Sequence, residues 1–191
     1  MPRPPRGGAG GPRDPRGVTM TAIGRVAAKA AAVGLLLLGA GGSSGQPSRT
    51  PNLGGCGDLR PPAGSRVAAV AYAEGVQVYR WTGAAWAFVA PEAVLYDADG
   101  EAVGIHYAGP TWESASGSRV VGAVAARCTP DPAAIPWLLL DAVSSSGPGV
   151  LRRVTHIQRL YTAGGLAPAG PGAVPGEVAR VPYSAYYVFY R

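Results

Sequence analysis

Lysine is almost missing from this chain. Lys29 is the only one in 191 residues, so nothing after it can form a lysine-rich stripe along phosphates. The net charge of +6 is unevenly placed. Arg3, Arg6, Arg13, Arg16, Arg25 and Lys29 precede Gly45 with only Asp14 against them, and the chain beyond Gly45 carries eleven basic and ten acidic residues. No nucleic-acid partner is expected. Histidine and cysteine occur only twice each, and neither a CxxC nor a close His pair is present, so no metal is expected. The chain also has no GxSxG and no GxxxxGK[ST]. Its "GAGGSSG" misses the dinucleotide-binding spacing, and no cofactor is expected. The apolar run "AAAVGLLLLGA", residues 30–40, is too short to span a bilayer as a helix.

That run has another use. Arg25 and Lys29 precede it and "GGSSGQPS" comes after it, which is the order of a cleavable secretory signal peptide. Residues 1–45 therefore read as a low-complexity leader plus signal peptide, with Met20 as a second candidate start. The mature chain is expected to begin between about Gly41 and Thr50, without a membrane span, in the secreted, periplasmic or cell-envelope space. No cysteine lies close enough behind the run for a lipoprotein. In an oxidising compartment Cys56 and Cys128 default to a disulfide. On the chain-entropy picture such a bridge stabilises by about 4 kcal/mol.

Residues 46–65, "QPSRTPNLGGCGDLRPPAGS", read as an irregular Pro/Gly/Ser tether, and residues 66–191 as one β domain. Val and Tyr are frequent there, turn clusters recur, and no amphipathic helix of useful length appears. "RVAAVAYAEGVQVYRW" reads as one strand bulged at Glu74-Gly75, or as two short strands, and Pro91 marks a bulge or an edge. "IPWLLLDAV" is apolar on both faces, and "VLRRVTHIQRLYT" reads as a further strand. In "VPYSAYYVFYR", Tyr183, Ala185, Tyr187 and Phe189 point one way and Tyr186, Val188 and Tyr190 the other. Such a strand lies inside a covered sheet or turns an aromatic stripe outward. The fold expected is an all-β antiparallel sandwich or partly closed barrel.

"VGIHYAGPTWE", residues 103–113, gathers His106, Trp112 and Glu113 around a Gly-Pro break. A four-residue loop from Ala108 to Thr111 would pair Tyr107 with Trp112 and His106 with Glu113. Val103, Ile105, Tyr107 and Trp112 would then share the inner face, and His106 and Glu113 the outer one. The polar pair is either a solvated hairpin face or a small site in which Glu113 orients His106. His156, in "VTHIQRL", reads as structural or surface-exposed.

Taken together and in order, "GVQVYRW", "FVAPEAVLYDADGEAVGIHYAGPTWE", "IPWLLLDAV", "VTHIQRLYTAGGLAP" and "VPYSAYYVFYR" resemble a family of secreted bacterial and fungal proteins known as a domain of unknown function, family 3455. The resemblance covers about residues 66–191. It implies a secreted single domain and brings no catalytic residue with it. Trp81 stands where a cysteine is common in the family, and Tyr186 where an aspartate is usual in the closing strand. No role resting on that cysteine or that acid carries over.

Three functions remain open. The first is a non-enzymatic extracellular binding or structural module, engaging an unidentified ligand, glycan among the candidates, through His106, Trp112, Glu113 and Tyr186. The second is a hydrolase-like enzyme using His106 with Glu113. The third is a surface-interaction or stress-related secreted factor. Exposed Tyr and Trp side chains favour the first; a polar pocket around His106 and Glu113 favours the second.

Overall fold

Alternation with period two, interrupted by Gly, Pro, Asp and Ser turns, yields eight strands. They are β1 (Val67–Trp81), β2 (Trp86–Tyr96), β3 (Ala102–Tyr107), β4 (Thr111–Ser114), β5 (Arg119–Cys128), β6 (Trp137–Ser146), β7 (His156–Gly164) and β8 (Val178–Tyr190). The structure is a computed structural model that describes residues 50–191. The leader, the signal-peptide pattern and most of the cleavage window lie outside the described residues. Each strand pairs antiparallel with the next, and β8 pairs back onto β1. Of the two architectures expected, the barrel forms, and it is closed. Among the described residues no helix is long and apolar enough to cross a membrane.

Closure explains the strands that are apolar on both faces. Inside the ring, Ala71, Ala73, Leu95, Leu140, Ile157, Tyr183, Tyr187 and Phe189 belong to one buried cluster. Outside it, Leu139, Leu160, Val188 and Tyr190 meet Leu53, Cys56 and Leu59. These three come from the segment read as a tether. Between Leu53 and Leu59 it lies against the barrel wall, and it makes a 3-10 turn at Gly57–Leu59. The Cys56–Cys128 disulfide ties it to the end of β5. Gln158, wholly buried, donates from Nε2 to the Leu59 carbonyl at 2.6 Å and accepts from the Tyr190 hydroxyl at 2.6 Å. The closing strand is thus covered on its outer face at Val188 and Tyr190, while Tyr186 stays exposed.

Three strand expectations need correction. β1 runs unbroken through Glu74-Gly75. There the backbones of β1 and β2 come so close that a Cβ on Gly75 would sit 2.1 Å from the Glu92 carbonyl oxygen, so only glycine fits. The bulge lies further on, where Val78 faces Ala90 and Tyr79 faces Phe88, leaving Val89 as the extra residue. Pro91 pairs beside that bulge, because a closed ring has no edge to offer it. Finally, Val150–Arg153 is a 3-10 turn and not the start of β7. The turn lets Leu151 reach, with Val154, into the inner cluster and fill one end of the barrel.

Candidate functional site

The other end is open. A cavity of about 460 Å³ lies there, walled by β1 to β8 and rimmed by the β3–β4 loop at Gly109 and Pro110. Phe88, Val89 and Val124 stand half-exposed around its mouth. Its size and its apolar walls are those of a small-molecule pocket in a barrel mouth.

His106 and Trp112 form one wall, and the β3–β4 hairpin decides how. Its loop has three residues and not four: Tyr107 pairs with Thr111, His106 with Trp112 and Ile105 with Glu113. Gly109 supplies the positive φ of 117° such a loop needs, and Thr111 Oγ1 donates to the Ala108 carbonyl at 2.8 Å. That one-residue difference reverses faces. His106 turns inward with Trp112, whereas Ile105 is exposed, and Tyr107 donates to Glu113 Oε2 at 2.7 Å. The expected face of Val103, Ile105, Tyr107 and Trp112 is therefore wrong for Ile105 and Tyr107. Trp112 is inside as expected, and Val103 packs, partly buried, against the inner cluster.

Inside, His106 stacks on Trp112 with ring centroids 4.4 Å apart, and Tyr187 meets both edge-on. Gly122 makes room for the indole, since a Cβ there would lie 3.1 Å from Trp112 Cζ3. His106 Nδ1 lies 2.8 Å from the Thr111 carbonyl, which can only accept, so the proton is on Nδ1 and the free lone pair on Nε2. Burial, opposed by that hydrogen bond and helped by the Arg159 charge, lowers the imidazole pKa to about 3. The ring is neutral at ordinary pH.

Sequence reasoning missed the other polar groups of the cavity. Gln77 and Tyr79 share the inner face of β1, and Arg159 follows Ile157 inward on β7. Tyr79 donates to the Gly165 carbonyl at 2.6 Å. Burial raises the Tyr79, Tyr183 and Tyr187 hydroxyls above their ordinary value, so all three stay protonated. Gln77 Nε2 and Trp112 Nε1 are buried and have no hydrogen-bond partner. The signal was present in "VTHIQRLYT": the period of two that carries Ile157 to the core carries Arg159 with it.

Tyr186 belongs elsewhere. On the outer wall it lies 5.2 Å from Tyr72 and 6.2 Å from Tyr161, and Tyr161 lies 4.9 Å from Trp137. Four adjacent strands thus carry an aromatic strip. Tyr161 holds a φ of 50° at an irregularity in the β7–β8 pairing. Of the four residues singled out, the fold unites His106 and Trp112 and separates Glu113 and Tyr186 from them. Glu113 faces outward onto Tyr107, and Glu92 pairs with Arg180. Among the described residues no group of three or more His, Cys, Asp or Glu could hold a metal ion.

Residues 62–191 match the family described as Protein of unknown function (DUF3455). The chain belongs to that family. No curated protein and no solved structure matches it. Membership covers every strand of the barrel but not the docked segment that carries Cys56.

Proposed function

We propose that this protein is a secreted, non-enzymatic binding module that takes a small, largely apolar molecule into the open end of its barrel. The cavity carries this reading: about 460 Å³ in volume, it opens at one end of the barrel and is lined by Phe88, Leu138, Leu140 and Trp112. Secretion is supported by the signal-peptide pattern and by the Cys56–Cys128 disulfide. A hydrolase pairing His106 with Glu113 loses its support, because the two side chains lie on opposite faces of the wall.

The neutral dye N-phenyl-1-naphthylamine tests the reading. Its fluorescence should rise saturably with the wild-type protein and fail to rise with Val124→Trp, which blocks the mouth from an exposed position. No saturable rise with wild type sinks the proposal. N-terminal sequencing of exported protein tests secretion, and an intact Met1 or Met20 refutes it.

The outer strip of Trp137, Tyr161, Tyr186 and Tyr72 favours a second reading, in which glycan stacks on the barrel wall. Tyr186→Ala should then abolish retention on insoluble cell-wall polysaccharide while leaving dye binding intact. Equal retention of variant and wild type removes this reading.

A further inference from the structure

The cavity is rich in donors and has no acid. Neither an aspartate nor a glutamate lines it, whereas Arg159 and Arg127 both do. Arg159 is half-buried and makes no ion pair among the described residues. Its Nε and Nη2 donate to the Pro136 carbonyl at 3.1 and 2.8 Å, which fixes the guanidinium at the cavity wall. That contact leaves two hydrogens on Nη1 and one on Nη2, and the Tyr187 hydroxyl competes for one of them. The positive charge bears on His106, Tyr79, Tyr183 and Tyr187 around the interior. A neutral His106 cannot balance it, and the tyrosines, kept protonated by burial, cannot either. Gln77 and Trp112 line the same space, with their unpartnered Nε2 and Nε1 atoms buried behind its surface. The His106 ring keeps an unshared lone pair on Nε2.

We propose that the ligand of this cavity is a small aromatic or aliphatic carboxylate, its body in the apolar mouth and its carboxylate on Arg159. The proposal rests on the cavity being the binding site and adds the ligand's charge and the residue that reads it. A carboxylate matches the flat guanidinium fork and accepts from hydrogens that the Pro136 carbonyl does not take. The walls contact the body without polar demands, so charge at one end is the selective feature.

Calorimetric titration with naphthoate and decanoate, each against its primary amide, isolates the charge at nearly constant shape. Each acid should bind at least about tenfold more tightly than its amide, the scale of a hydrogen bond to a charged group. Arg159→Gln should shrink that gap below about threefold without weakening the amides, and Arg159→Lys should keep part of it. Amides that bind as tightly as acids overturn the inference and leave the binding module standing. A gap that persists in Arg159→Gln overturns the role of Arg159. If no acid, amide or neutral dye binds, the cavity reading itself falls. The wild-type comparison decides the charge question even where Arg159→Gln does not fold.

Discussion

The imidazole of His106 lies flat on the indole of Trp112, with centroids 4.4 Å apart and planes 9° from parallel. Because this pair is buried in the barrel, protonating the imidazole puts an unpaired charge beside Arg159. The folded pKa near 3 lies below the ordinary 6.5, so the unfolded chain binds the proton first as pH falls. The stability this group contributes is fully present above about pH 6.5 and is lost progressively down to about pH 3, by several kcal/mol in all. Urea unfolding across that window should show the fall, and His106→Phe should flatten it. A wild-type stability independent of pH there removes this account of His106.

Trp112 is the largest wholly buried side chain. Trp112→Ala should cost about 3–5 kcal/mol in chemical unfolding. Trp112→Phe should cost much less, since it keeps most of the packing and deletes a donor that has no partner. Gly122→Val should fail by the same contact from the other side, because its side chain would enter the space of the indole.

Replacing Cys56 and Cys128 together by Ala should lower stability by about 4 kcal/mol, the chain-entropy value for a loop closed across 72 residues. The near-ultraviolet signal of the inner aromatics should persist, because Trp112, Tyr187 and Phe189 lie on the other side of the wall. Loss of the barrel in this variant would mean that the docked segment is required for folding.

Glu113→Gln should leave dye and carboxylate binding unchanged, because Glu113 engages Tyr107 on the outer wall. Its effect on stability should stay below about 1.5 kcal/mol, the range of one partly exposed hydrogen bond. A tenfold loss of ligand affinity would restore Glu113 to the site.

Local rules account for much of this barrel, and they can be read from residue order alone. Alternation set the strands, and in β8 it sorted Tyr183, Ala185, Tyr187 and Phe189 from Tyr186, Val188 and Tyr190 as the fold does. Composition paired Cys56 with Cys128, the only two cysteines available. Period two cannot say which face is inside, and a loop one residue shorter than expected turned His106 in and Tyr107 out. Nor can it say that β8 closes onto β1, which depends on how strand twist and register accumulate around the ring. The cavity exists only after that closure, since Gln77, the hairpin of His106 and Trp112, and Arg159 lie far apart along the chain. Only the closed barrel brings Arg159 to the wall opposite no acid, because the charge balance of a cavity is a property of the ring and not of any one strand.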